Sequence, residues 1–374
     1  NPSGRGDSLV RICRWNGRES MTRPLHVLAV NPGSTSTRIS LFRDESLDLD
    51  VELRHALEDG AGGRFEDDLR IRIGAVRRWL DQNDVHIASL DAVVGRGGLL
   101  RPLEGGVYRV NESLLNDSRT GLQGRHPSNL GAHLAHELAI DAGAPAFVVD
   151  PVSVDEFDEL ARLSGLAGIE RRSLSHALSV HSAVRTLADE SGRPWREVRA
   201  VVAHLGGGIS ICPVRDGRIV DANNAVSEGP FSPQRTGGLP IQELLDLVYS
   251  GQYGESDVRS LTVGEGGLVS YLGTDDAEEV ERRIESGDEL AETVFRGLAY
   301  QVAKEIGAMT TVLEGRLDAV ILTGGLARSA RLVEWIRERV DFLAPVRVLP
   351  VQEMHALARG ARAALRGDEP IRDY

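Results

Sequence analysis

One strand–turn–strand unit occurs twice in this chain, and that repetition restricts the fold more than any other feature. The first copy runs HVLAV (His26 to Val30), NPGSTST (Asn31 to Thr37), RISLF (Arg38 to Phe42) and a polar RDES. The second runs RAVVAH (Arg199 to His204), LGGGIS (Leu205 to Ser210), ICPV and RDG, so that 172 residues on, Ser34 to Ser36 fall opposite Gly206 to Gly208. Two apolar runs joined by a glycine- and hydroxyl-rich turn read as a β-hairpin. Solenoid units are roughly 20 to 50 residues long, so a repeat of this size implies two similar domains instead. A length of 374 residues agrees, at about 150 residues per domain.

Three further apolar runs stop at glycine or an acid: DAVV before GRGG (Gly95 to Gly98), AFVV before Asp150, and DAVIL before TGGLA (Thr323 to Ala327). They read as buried strands whose ends face one crevice. Helical spacing is clearest from Leu290 through Val294, Leu298, Val302, Ile306 and Met309 to Leu313. Further helices are expected over Arg64 to Leu80, Pro127 to Ala142, His176 to Glu190, Leu239 to Val248 and Met354 to Leu365. Strands followed by helices, twice over, predict an α/β fold of duplicated domains, each a mixed sheet flanked by helices, with a cleft between them as the default ligand site. The expected division is 25–150 plus 354–374 for one domain and 151–353 for the other. Residues 1–24 are expected to be a disordered or non-native extension, and Met21 the natural start.

Charge and composition narrow the function. Asp plus Glu exceed Lys plus Arg by 56 to 43, a net charge of −13, which argues against nucleic acid or an anionic membrane as the main partner. Lys304 is the sole lysine, so neither a Walker A lysine nor a protein-kinase strand lysine exists. Cys13 and Cys212 lie too far apart in sequence for a Cys-x-x-Cys metal site and suggest no disulfide framework, so a reducing cytoplasm is expected. No apolar run approaches the roughly 18 residues of a membrane helix.

Glycine-rich turns after strands can aim backbone N–H groups at phosphate oxygens, although one such turn alone is usually a plain hairpin. Two at equivalent places, together with a strand running into TGG, resemble the actin, Hsp70 and sugar-kinase superfamily, whose phosphate hairpins and adenosine loop clamp ATP. Within it the chain resembles the acetate and butyrate kinase family, and its butyrate kinases most closely. The resemblance rests on VNPGSTSTRISLF at 30 to 42, GRGGLLRPLEGG at 95 to 106, HPSNLGA at 126 to 132, VDPVSVDEF at 149 to 157, SLSHALS at 173 to 179, AHLGGGISI at 203 to 211, GPFSPQRTGGLP at 229 to 240, ILTGGLA at 321 to 327 and VQEMHALARGA at 351 to 361.

That resemblance implies reversible phosphoryl transfer between ATP/ADP and a short-chain fatty acid, butyrate first, through an acyl phosphate and with Mg²⁺. Acetate, propionate or a branched acid are the alternatives, and a nucleotide-gated regulatory protein built on the same clamp is the rival of another class. It implies that His176 and Arg235 stabilise the transferring group, that His126 lines the same site, and that Asp150 and Glu353 lie near metal or phosphoryl group. Asn31 is expected at metal and phosphates, with Ser34, Ser36 and Arg38 on the first hairpin. His204 and Gly206, Gly207 and Gly208 are expected on the second hairpin, and Gly324, Gly325 and Leu326 at the adenosine loop. Arg96 departs from the acetate pattern and is expected, ahead of Arg101, to hold the substrate carboxylate or else form a salt bridge beside its glycines. A homodimer is expected. Direct in-line transfer is favoured over a phosphorylated Asp150 or Glu353.

Overall fold

The computed structural model describes residues 23–55, 65–350 and 352–374. Met21, Cys13 and most of the expected N-terminal extension lie outside them.

Two mixed sheets form the frame. The strands of the first are β1 (His26–Pro32), β2 (Ser36–Arg43), β3 (Ser46–Arg54), β4 (Ala92–Arg96), β5 (Val107–Arg109), β6 (Ala146–Val149) and the C-terminal β12 (Ile371–Arg372), in the order β12-β5-β6-β4-β1-β2-β3. Those of the second are β7 (Ala200–Leu205), β8 (Ile209–Arg215), β9 (Arg218–Ile219), β10 (Ala319–Thr323) and β11 (Val346–Val348), in the order β11-β10-β7-β8-β9. The segment 6-4-1-2-3 of the first sheet repeats as 11-10-7-8-9 in the second. In each, a central strand pairs antiparallel with the next one and parallel with a later one.

The duplication extends to single atoms. Asp91 accepts the backbone N–H of His26 at 2.8 Å, and Asp318 that of Arg199 at 2.8 Å, each pinning the start of its central strand. Asp44 and Asp216 both take left-handed backbone, φ 49° and 56°, in the tight turns that follow β2 and β8. Short polar side chains tolerate this conformation better than most. In the pairing register Asn31 faces Arg38 and His204 faces Ser210, which makes Asn31 and His204 equivalent strand-end positions.

Helices cover both faces of each sheet. They are α1 (Phe65–Gln82), α2 (Glu112–Thr120), α3 (Asn129–Ala142), α4 (Ala177–Ser191), α5 (Ile241–Tyr249), α6 (Glu255–Thr262), α7 (Leu268–Leu272), α8 (Ala277–Glu285), α9 (Glu289–Val312), α10 (Ala330–Val340) and α11 (Glu353–Arg366). One core sets Leu28, Val30 and Val93 against α1 and α3; on the other face Val27, Ala29 and Val94 meet α11. In the second sheet Val201, Ala203 and Val320 meet α9 and α10, while Ala200 and Val202 meet α4. Strands β4, β6 and β10 are buried almost throughout, which is why they read as unbroken apolar runs. Along α9 the expected stripe is buried at Val294, Leu298, Val302, Ile306 and Met309, whereas Leu290 is exposed.

Candidate functional site

The ends of the central strands and the starts of two helices converge. Asn31 is in the last turn of β1, Arg96 ends β4, His204 is next to last in β7, and Glu353 is the first residue of α11. The Glu353 carboxylate gathers the first group: its Oε2 accepts from Arg96 Nη1 at 2.6 Å and from Asn31 Nδ2 at 2.8 Å. No hydrogen bond to its Oε1 occurs among the described residues.

His176 immediately precedes α4 and stacks on His204, ring centroids 4.1 Å apart and planes at 17°. Ser210 Oγ lies 2.9 Å from His176 Nδ1 and accepts the His176 backbone N–H at 3.3 Å. In the Nε2–H tautomer the Ser210 hydroxyl donates to Nδ1, and in the Nδ1–H tautomer it accepts from it. Burial lowers the His176 pKa well below 6.5, helped by His204, Arg96, Arg235 and His126. Burial also takes His204 down to about 4, with Glu353 opposing and Arg96 reinforcing the fall. Desolvation, Arg96 and Arg235 lower His126 as well, and its Nδ1 accepts from the Ser128 N–H at 3.2 Å. Burial and the neighbouring guanidiniums thus favour the neutral imidazoles, and the fixed positive charge belongs to Arg96 and Arg235.

Arg235 reaches this group from the second sheet's side. Its Nη1 donates to Ala225 O at 2.9 Å, and a Cβ on Gly208 would lie 2.4 Å from that nitrogen. Gly208 thus makes room for a guanidinium as well as belonging to the second hairpin. Ser232 Oγ braces the hairpin by donating to Gly207 O at 2.7 Å. Beside it opens a cavity of about 420 Å³ lined by Gly206, Gly207, Gln234, Asp275, Gly325 and Leu326, among others. Gly324 is not in that lining. It holds φ 92° with its backbone against Leu205, where a Cβ would lie 2.4 Å from Leu205 O. It supports the hairpin.

The other expected residues have partners of their own. Asp150 is buried with φ 40°, and its carboxylate accepts from Gly106 N at 2.7 Å and Arg185 Nη1 at 3.2 Å, with His181 Nδ1 3.1 Å away. Burial opposes its ionisation, but His181, Arg185 and the Gly106 N–H prevail and bring its pKa to about 2. None of these partners is His176, Arg235 or Glu353. The Arg38 fork is held by Asp50 at 2.9 and 3.2 Å on the exposed face of β2, and Ser36 Oγ donates to Glu52 at 2.7 Å. Ser34 contributes its carbonyl to Arg72 Nη2 at 3.0 Å. Arg101 pairs with Asp117 and lies over the Tyr374 ring, 4.7 Å from its centroid.

Sequence reasoning missed four contributors. Ser210 holds the His176 ring nitrogen and backbone, and its signal was its register opposite His204. Arg72, fully buried in α1, donates to Ser36 O at 2.6 Å and Thr37 Oγ1 at 3.0 Å, clamping the first hairpin from behind. Asp275 and Asp276 add acidic groups to the larger cavity, and Asp276 caps α8 by accepting Glu278 N–H at 2.9 Å.

Comparison with known proteins follows the same lines. Residues 166–362 match the profile described as the Acetokinase family. The chain is 45% identical over 350 residues to "Probable butyrate kinase 2" of Caldanaerobacter subterraneus subsp. tengcongensis, covering 93% of this chain and 99% of that one. Among solved structures it is similar to Porphyromonas gingivalis acetate kinase, with TM-score 0.75, 18% identity and coverage of 91% of this chain and 100% of that one. A propionate kinase from Francisella tularensis has TM-score 0.71 at 17% identity, with coverage of 90% and 98%.

Proposed function

We propose, since the chain belongs to the Acetokinase family, that it is a carboxylate kinase moving the γ-phosphoryl group of ATP reversibly onto a short-chain fatty acid, butyrate first. The observation that carries this reading is the meeting of Arg96, from the end of β4, and Arg235, from the loop between β9 and α5, around the stacked His176 and His204. A fatty acid has a pKa near 4.3 and is already a carboxylate at pH 7, so no general base is needed. The difficulty is bringing that anion to a triphosphate and stabilising charge spread over the transferring group. Two unit charges about 4 Å apart interact by roughly 4 kcal/mol at an effective dielectric near 20 and by about 1 in water. Fixed guanidiniums in a closed cleft answer that demand.

Arg235 and the His176 Nε2–H are the donors for the transferring phosphoryl oxygens. Arg96, whose remaining guanidinium nitrogens have no partner among the described residues, holds the acid's carboxylate while Nη1 stays on Glu353. His126 borders the site. Gly206 to Gly208 cradle phosphates, and Gly325 and Leu326 lie against the adenosine in the larger cavity. Direct in-line transfer fits best, because Asp150, with its carboxylate held by Gly106 and Arg185, is poorly placed to become a phosphoacceptor.

Mg²⁺ usually takes one or two carboxylates and fills its shell with phosphate oxygens and water. The residues suit it: Glu353 keeps Oε1 free, Asn31 lies alongside, and no cluster of three acidic, His or Cys side chains competes among the described residues. Asn31 and Glu353 would hold the ion, which supplies neutralisation of the phosphate charge.

A homodimer and a cytoplasmic setting complete the reading. The described part of α5 buries none of its residues and exposes Ile241 and Tyr249, a face suited to a second copy. No helix among the described residues is long and apolar enough to cross a membrane. The 25–150 plus 354–374 and 151–353 units would be the two closing lobes. The test is ADP release with ATP, Mg²⁺ and a panel of C2 to C5 acids. Release that depends on acid and is greatest with butyrate is expected. Nucleotide binding without acid-dependent release would identify the regulatory alternative instead.

A further inference from the structure

A second cavity, of about 340 Å³, lies between α4 and α11, on the side of the first sheet away from α1 and α3. Leu178, Ser182 and Arg185 form its α4 wall, spaced four and three residues apart on one helical stripe. Val107 and Val149 form an apolar floor, and Trp195 lines one end. The opposite wall is the C-terminal half of α11, with Arg359, Arg362 and Arg366.

Three of the four lining arginines are engaged. Arg185 pairs with Asp150 at 3.2 Å, Arg359 with Asp189 at 2.7 Å and Arg366 with Asp44 at 2.7 Å. Arg362 is different. It is only 8% exposed, yet it makes no hydrogen bond and no ion pair among the described residues. Burial lowers its pKa, with Arg366 and Arg359 adding to the fall and Glu45, itself in the lining, and Asp44 opposing it. A guanidinium mostly withdrawn from water without a hydrogen-bonded partner is costly, and the cavity in front of it, lined by carbons of Leu178, Val107, Val149 and Trp195 as well as by charged groups, provides the space in which a partner would sit.

We propose that this cavity binds an amphiphilic anion, its carboxylate or phosphate-monoester head paired with Arg362 and its aliphatic or aromatic body against Leu178, Val107, Val149 and Trp195. The head and body follow from different walls: a guanidinium without a hydrogen-bonded partner at one side, where the lining arginines outnumber Glu45, Asp368 and Glu369, and apolar carbons across the floor. Nothing in this assignment depends on the chemistry of the nucleotide site, although α4 and α11 begin beside His176 and at Glu353.

Titration calorimetry on the full chain with octanoate and, separately, phenyl phosphate tests it. At least one probe should bind the wild-type protein and the Arg235→Ala variant alike. Arg362→Leu should weaken that probe about 10- to 100-fold, as expected for losing a charged hydrogen bond, and Arg362→Lys should restore part of the loss. Ser182→Glu, a change at a partly exposed position, should abolish binding by setting a like charge against the head. It keeps the test open if Arg362→Leu does not fold. Preference between the probes identifies the head group. Failure of both to bind at millimolar concentration overturns the proposal. So does binding that survives both Arg362→Leu and Ser182→Glu, or binding lost in Arg235→Ala and kept in Arg362→Leu, which would belong to the phosphoryl site.

Discussion

Arg235 holds its guanidinium against Gly208, so the two residues form one device. Replacing Arg235 with alanine should leave folding intact and cut acid-dependent turnover about a thousandfold or more, the scale expected for an arginine that stabilises a phosphoryl transition state. Gly208→Ala should also fold, because the colliding atoms end a flexible side chain, and should lose turnover by displacing Arg235. Steady-state kinetics on both variants checks this; near-normal turnover in Arg235→Ala removes it from the mechanism. The histidines make a separate prediction. His181 sits between Asp150 and Glu156, 3.1 and 3.5 Å away and poorly aligned for hydrogen bonds, and their charges overcome burial to raise its pKa to about 9. From pH 6.5 to 9 the native state keeps a proton the unfolded chain has lost, so stability must fall as pH rises through that window, by a few kcal/mol at most. His204 and His133, both lowered to about 4, act oppositely: stability is lost as pH falls from 6.5 towards 4. Urea midpoints should therefore peak near pH 6.5, and His181→Gln should flatten the alkaline limb.

Among the elements, the first hairpin depends on a helix that contributes nothing else to the site. Arg72 of α1 satisfies Ser34 O, Ser36 O and Thr37 Oγ1 from a fully buried position. Arg72→Met would leave Ser34 O unpaired, Ser36 O with only the Gly33 N–H, Thr37 Oγ1 with only His55, and Asp68 without its cation, at about 1–3 kcal/mol for each buried group left unsatisfied. The expected result is a lower urea midpoint together with a raised KM for ATP, since the hairpin loses its brace; a variant as stable as wild type would contradict it. Its i,i+4 pair with Asp68 looks like any surface helix pair, and its hairpin partners lie 35 to 38 residues away, so no local pattern revealed this arginine. The buried parallel strands were legible as apolar runs bounded by glycine or acid, and α9 as a stripe. Strand β3 was not, because it is an edge strand with alternating acids, and β5, β11 and β12 are too short to show a period. At the site, strand-end Asn31, Arg96 and His204 were legible through motifs, as was Asp150, which follows the strand partner of Arg96; its own partners His181 and Arg185 are on α4, and nothing near Asp150 in sequence announces them.

For the molecule as a whole, two surfaces remain to be accounted for, one outside and one within. Outside, α5 exposes 70% of Ile241 and 82% of Tyr249, and the 160–169 segment exposes Leu160, Leu163, Leu166 and Ile169. Contiguous apolar surface of this kind marks an interface. Sedimentation should give a dimer for the wild-type chain and a monomer for Ile241→Asp/Tyr249→Asp; a monomeric wild type would refute this. Within, Arg96 belongs to the first sheet and Arg235 to the second half, and both add to burial in lowering the pKa of His176 and His126. If the two proposed lobes close, these like charges, Arg96 in part neutralised by Glu353, would repel until an anion lies between them. A triphosphate supplies that anion, and as water leaves, its attraction to both walls grows because the local dielectric falls. Adding ATP, Mg²⁺ and a non-reacting short-chain acid analogue should therefore reduce the radius of gyration measured by X-ray scattering. Arg235→Ala should weaken that response, because a bound triphosphate would have only Arg96 to pull. Equal compaction in the variant would show that closure is driven by something other than these paired charges.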